Sequence, residues 1–126
     1  GAQGVQMGTR FIASKECLVH EEFKNKIIKA GIRDTVITGQ KLGHSARVIK
    51  TNFAKKVCQL ELTCPEQAEE VLIGSLKRAV LDGDVQAGAF MAGQCSGLIE
   101  NIEGVGDIME KMIFQAEKIF CSGQEV

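Results

Sequence analysis

Tryptophan and tyrosine are missing from this 126-residue chain, and proline occurs once, at Pro65. The only aromatics are six phenylalanines and the formal net charge is −1. Stacking rings interleaved with basic patches are therefore not supported, and no nucleic-acid partner is expected. No apolar run is long enough to span a bilayer and no secretory leader is recognisable. No membrane contact is expected, and the expected location is the cytoplasm. The five cysteines, Cys17, Cys58, Cys64, Cys95 and Cys121, are an odd number with no Cys-x-x-Cys pair. That argues against a disulfide framework and a zinc knuckle, and suits small buried hydrophobes in a reducing compartment. The two histidines, His20 and His44, fall in no nucleophile–base or metal-ligand motif, so no metal is expected and no catalytic group is assigned. An initiator methionine is also missing. Gly1-Ala2-Gln3 gives neither that nor a helix start, which reads as a segment of a larger protein or a trimmed end.

What is present suits a small globular domain with a real core. In Gly4-Val5-Gln6-Met7-Gly8-Thr9-Arg10-Phe11, the alternation of Val5, Gln6 and Met7 predicts a short strand ending at Gly8. Gly8 has no Cβ to keep a ligand off the main chain. The amides around Gly8 and Thr9, with the Thr9 hydroxyl, can donate to one anionic oxygen. This predicts a phosphate seat, with an ordinary turn as the alternative; loops after the last strands of a β/α barrel commonly make such seats.

Beyond it, Ser14 is expected to cap a helix carrying Cys17, Leu18, Phe23, Ile27 and Ile28, broken near His20 and closed by a left-handed Gly31. Residues 34–38 and 47–50 read as strands joined by a shaped loop, 39–45, with glycines at 39 and 43. Asn52 is expected to cap a helix with Phe53, Val57 and Leu60 on one face. Thr63 and Glu66 around Pro65 predict a capping box on the next helix, which runs to Gly83 with an interruption at Gly74. Small residues at 88, 89, 92, 93, 96 and 97 predict a helix surface open to close approach. Tight packing and a cofactor pocket at Gly93 and Gln94 both explain it. Val105, Ile108, Met109, Met112, Ile113, Ala116, Ile119 and Phe120 predict an amphipathic helix with its methionines in a core. His20 reads as a solvated helix residue. His44, between Gly43 and Ser45, is a candidate for a polar contact or a purely structural loop residue.

Four of these stretches carry a resemblance: 1–11 (Gly-Ala-Gln-Gly-Val-Gln-Met-Gly-Thr-Arg-Phe), 34–39 (Asp-Thr-Val-Ile-Thr-Gly), 43–48 (Gly-His-Ser-Ala-Arg-Val) and 83–94 (Gly-Asp-Val-Gln-Ala-Gly-Ala-Phe-Met-Ala-Gly-Gln). In order and spacing they resemble the C-terminal part of the FabK-type, flavin-dependent enoyl-(acyl-carrier-protein) reductases, relatives of nitronate monooxygenase, formerly 2-nitropropane dioxygenase. The resemblance spans essentially the whole chain. It implies an α/β fold: the C-terminal part of a (β/α)8 TIM barrel, mostly helical in this segment, with a small β-containing insertion. Residues 1–32 would be the last barrel strand and following helices, 33–82 a cap insertion, and 83–126 the closing helices.

It further implies FMN as cofactor and NAD(P)H as reductant, with FMN phosphate on Gln6, Met7, Gly8 and Thr9, Gly93 and Gln94 facing the flavin, and His44 on the substrate side. The implied reaction is reduction of the enoyl double bond of an acyl-carrier-protein thioester in bacterial fatty-acid synthesis, in an enzyme completed by the remainder of the barrel and expected to be a homodimer. A full barrel needs about 250 residues, so this segment alone is expected to be inactive. Ser45 departs from the pattern, since relatives often carry proline there. Two alternatives stay open: a nitronate monooxygenase, and a non-catalytic assembly module.

Overall fold

The computed structural model describes residues 3–122. Gly1 and Ala2, which open the first motif, and residues 123–126, the end of the expected closing segment, lie outside the described residues. The arrangement is α/β and mostly helical.

The expected strand at Val5 to Met7 does not form. Residues 3–7 have no regular structure and Val5 is 83% exposed, because no described strand lies beside them to complete a hydrogen-bond ladder. Instead the chain enters a single helical turn, α1, Thr9–Ile12, with Gly8 at its N-terminal end. Ser14 does not cap a helix. Its hydroxyl donates to the Phe11 carbonyl and accepts from the Cys17 amide, and its backbone bridges to Glu103. These bonds hold 14–19 as irregular chain with Leu18 exposed.

The next helix, α2, Glu21–Lys29, is capped by His20, whose Nδ1 accepts from the Glu22 amide at 3.1 Å. His20 is thus a cap and not a mid-helix residue. It fits beside Gly83, whose φ of +61° and whose missing side chain both matter: a Cβ there would lie 2.1 Å from the His20 ring. Gly31 is not left-handed. The helix ends at an extended Ala30, and the Gly31 amide is taken by the Asp34 carboxylate.

Strands β1, Thr35–Thr38, and β2, Ala46–Ile49, pair antiparallel, Thr35 opposite Ile49 and Thr38 opposite Ala46. The intervening loop turns on left-handed Gly39 and Gly43, as its two glycines predict. Helix α3, Asn52–Thr63, is capped by Thr51, one residue before the expected Asn52. The capping box at the next helix is absent, because the Thr63 hydroxyl donates back to the Gln59 carbonyl. Helix α4, Pro65–Leu72, starts on proline as expected. Left-handed Gly74 separates it from a short turn, α5, Ser75–Lys77, which widens into a π turn over Arg78–Asp82 and stops at Gly83.

The expected helix over 83–98 is the largest correction. Asp84 accepts from the Gln86 and Ala87 amides and forms a turn. Residues 89–92 then run extended along β2, with Ile49 donating to Phe90 at 2.9 Å and Ala92 to Arg47 at 3.1 Å. A ladder is available to these residues, and it outweighs a helix that several glycines would weaken. Only Gln94–Leu98 coils, as a 3-10 turn. The last helix is α6, Val105–Ser122.

Alternation along β2 and 89–92 sorts side chains onto two faces. Ile49, Phe90 and Ala92 join Phe23 and Ile27 of α2 in one core, where the Phe23 and Phe90 rings meet at 5.1 Å and 59°. Val48 and Ala89 join Phe53, Ala54 and Val57 of α3 in the other. Of the α6 stripe only Ile108 is buried; Met109, Ile113 and Phe120 are exposed, so Met109 is not a core residue in this chain. No cysteine is fully buried: Cys17, Cys58 and Cys64 are half-buried, Cys95 and Cys121 exposed, and all are free thiols. Among the described residues no helix is long and apolar enough to cross a membrane.

Candidate functional site

Two short coils begin side by side. At the start of α1, the Gly8 carbonyl accepts from the Phe11 and Ile12 amides at 2.9 and 3.1 Å. The amides of Gly8, Thr9 and Arg10 have no acceptor among the described residues. At the start of the 3-10 turn the same holds for Gln94 and Cys95, while Gly93 donates its amide to Thr9 Oγ1 at 2.9 Å. That bond joins residues 84 apart in sequence. Because the Thr9 hydroxyl accepts it, its own proton is free to be donated. Among the described residues nothing lies within 4 Å of where a Cβ on Gly8 would stand.

The residues predicted for the site divide. Gly8, Thr9, Gly93 and Gln94 come together, with Thr9 buried and Gly8 and Gln94 exposed. Gln6 is exposed, and Met7 is half-buried and turns to another hollow, shared with Arg10, Leu98, Glu103 and Lys111. In that hollow Arg10 and Lys111 both bond the Glu103 carboxylate. The Lys111 hydrogen bond outweighs the upward push of desolvation and, with the nearby charges of Lys111 and Arg10 and the Arg10 hydrogen bond, holds the Glu103 carboxyl below the usual carboxylate range. Arg10 is thereby engaged. Its guanidinium also donates to the carbonyls of Ala13 and Asn101, so the cation next to Thr9 in sequence braces the chain and is not spare for an anion.

His44 belongs to a separate, apolar cavity of about 520 Å³. It opens on the face of β2 that carries Ala46 and Val48, continues along Ala89 and Met91, and is closed by the 38–45 loop and by Leu72, Ser75 and Leu76. His44 is exposed at its edge. Met91 lines the cavity and Gly93 is two residues on, so one short extended segment, about 7 Å of chain, links cavity and amide cluster.

Three features went unforeseen. Met91 reaches the cavity only because 89–92 is extended, and the short continuous apolar run Ala89-Phe90-Met91-Ala92, which suits a buried strand, was the available signal. The Thr9–Gly93 bond has no local sequence signal. Glu61, buried at 5% exposure, reads in sequence as an ordinary charged helix residue; yet it accepts from the Gly39 and Lys41 amides. Beside it, burial first and the Glu61 charge second push the Cys58 thiol up.

The family model of nitronate monooxygenase matches residues 1–115. A probable nitronate monooxygenase of Staphylococcus aureus is 31% identical over 121 residues, covering 94% of this chain and 34% of that protein. A (3aS,4S,5R,7aS)-5-hydroxy-7a-methyl-1-oxo-octahydro-1H-indene-4-carboxyl-CoA dehydrogenase of Mycobacterium tuberculosis is 24% identical over 155 residues, covering 92% of this chain and 44% of its own length. Among solved structures, FabK from Thermotoga maritima superposes with a TM-score of 0.94 at 52% identity, covering 97% of this chain and 39% of that one. A methionine-to-alanine mutant of the same FabK superposes at 0.79 and 47% identity, with 94% and 35% covered. The chain spans about a third of the length of the first of these curated relatives.

Proposed function

This chain belongs to the nitronate monooxygenase family, and from that premise we propose that it forms the flavin-phosphate end of an FMN-dependent enoyl-acyl-carrier-protein reductase. The observation that carries the reading is the meeting of two coil starts, tied by the bond from the Gly93 amide to Thr9 Oγ1. Amides at Gly8, Thr9, Arg10, Gln94 and Cys95 that are unpaired among the described residues, with the Thr9 hydroxyl proton, are a donor set suited to a phosphate monoester, and no described side chain crowds Gly8. The residues present therefore fit the terminal phosphate of FMN. Bound there, FMN would supply a hydride carrier, reloaded by NAD(P)H, for saturating an enoyl thioester.

The chain's own part is to hold and enclose. Gly8, Thr9, Gly93 and Gln94 fix the phosphate end; the cavity beside Met91 and His44 takes the apolar acyl portion and excludes water. Residues 1–32 would be the last strand and following helices of a (β/α)8 barrel, with 33–82 a cap and 83–126 the closing helices. The unladdered residues 3–7 and the exposed α6 face then meet the remainder of the barrel. A cytoplasmic homodimer taking an acyl-carrier-protein thioester completes the reading, and this segment alone would be inactive. The 52% identity to FabK from Thermotoga maritima favours the reductase. The family match and the 31% identical staphylococcal relative favour a second reading, a nitronate monooxygenase on the same seat.

The complete protein separates the two. NAD(P)H oxidation that depends on a crotonyl thioester is the expected result. Oxygen uptake with propionate-3-nitronate, and no response to the thioester, would replace the first reading with the second.

A further inference from the structure

The loop that carries His44 is anchored by a carboxylate from another element. Glu61, on the inner side of α3, accepts from the Gly39 amide at 2.5 Å through Oε1 and from the Lys41 amide at 3.3 Å through Oε2. No ion pair reaches it among the described residues. A carboxylate taken out of water needs donors in place, and both of the donors found belong to the one loop. Gly39 passes the restraint on. Its carbonyl accepts from the Leu42 and His44 amides at 3.1 and 3.2 Å. Its φ is +74°, and a Cβ on it would lie 2.4 Å from the His44 carbonyl oxygen and 3.0 Å from His44 Nδ1. His44 therefore rests directly against the residue that Glu61 holds.

We propose that Glu61 is a positioning residue: by fixing the Gly39 and Lys41 amides it sets where His44 stands on the wall of the apolar cavity. The proposal rests on reading that cavity as the substrate side of the enoyl-thioester site. The loop itself has little else to locate His44, since Gly43, His44 and Ser45 are all exposed and Gly43 is left-handed.

The test uses the complete, flavin-loaded protein as wild type, Glu61→Gln, His44→Ala and the double variant. Glutamine keeps one acceptor oxygen but turns an NH2 group against the other amide. Losing one such charge-assisted bond is expected to raise KM for a crotonyl thioester about ten-fold, with kcat within about two-fold and FMN content unchanged. His44→Ala is expected to act in the same direction, and the double variant to be no worse than His44→Ala alone, because both changes remove one effect. A wild-type KM in Glu61→Gln, or full additivity with His44→Ala, overturns the proposal.

Amide exchange supplies a readout that needs no turnover. Glu61→Gln is expected to speed exchange over 39–44 while 46–49 keeps its protection. Unchanged exchange over 39–44 overturns the positioning role, and so does a general loss of protection that includes 46–49. If wild type does not reduce the thioester at all, the enoyl-reductase reading falls on its own, and exchange alone decides whether Glu61 holds the loop.

Discussion

Gly8 is the residue on which the cofactor assignment can be tried most directly. Its φ is −109°, a value open to any residue, and among the described residues nothing stands within 4 Å of an added Cβ. Aspartate is moreover a favourable residue at the start of a helix. Gly8→Asp should therefore keep the fold while placing a negative charge among the donors proposed for a phosphate. We expect the complete protein carrying it to lose essentially all bound FMN, measured as flavin absorbance per polypeptide, with an unchanged far-ultraviolet spectrum. Full occupancy in that variant would sink the phosphate assignment. Phe90 tests the core in the same way. It is fully buried, ring to ring with Phe23, and Phe90→Ala is expected to cost about 3–5 kcal/mol, read from denaturant unfolding.

Among the elements, the ones legible in advance were those whose signals are local. The β1–β2 hairpin, the Pro65 start, the Gly74 break and the α6 periodicity follow from residue types a few positions apart. The failures share a physical cause, which is competition settled by distant partners. Residues 89–92 chose a ladder on β2 over a glycine-weakened helix, and Val5 to Met7, with no described strand beside them, formed none. In the candidate site, open amides at Gly8 and Thr9 were readable from a glycine and threonine at a break, although the break is the start of a helical turn and not the end of the expected strand. The Thr9–Gly93 bond and the Glu61 anchor were not readable, since each spans 20 or more residues. The α6 anchor yields a prediction at this scale. Glu103 joins Arg10 and Lys111, and the Glu16 carboxylate accepts from the Val105 amide at the helix start. Since the Glu103 carboxyl titrates below its ordinary value in the folded chain, its contribution is present above the unfolded pKa and lost as pH falls through the folded one. Amide protection at the start of α6, taken relative to the intrinsic exchange rate at each pH, should fall on acidification below about pH 4, and Glu103→Gln should remove that step.

For the molecule as a whole, the unbalanced quantity is apolar surface. Ile113, Phe114 and Phe120 of α6 are 54%, 65% and 75% exposed, and Leu98 is 75% exposed, more than an isolated globular surface ordinarily shows along one helix. Expressed by itself, the 126-residue chain is expected to self-associate and to purify without retained FMN. Light scattering checks the first expectation, and Phe114→Lys with Phe120→Lys should shift the population toward monomer. A monodisperse, yellow monomer would show that neither the α6 face nor the flavin needs further protein. The tie between Thr9 and Gly93 carries a consequence for biosynthesis. As the polypeptide leaves the ribosome, Gly8 and Thr9 emerge long before their counterpart has been translated. On the proposed cofactor reading, nucleotide loading is then a late event, and a nascent chain stalled ahead of the Gly93 codon should be colourless.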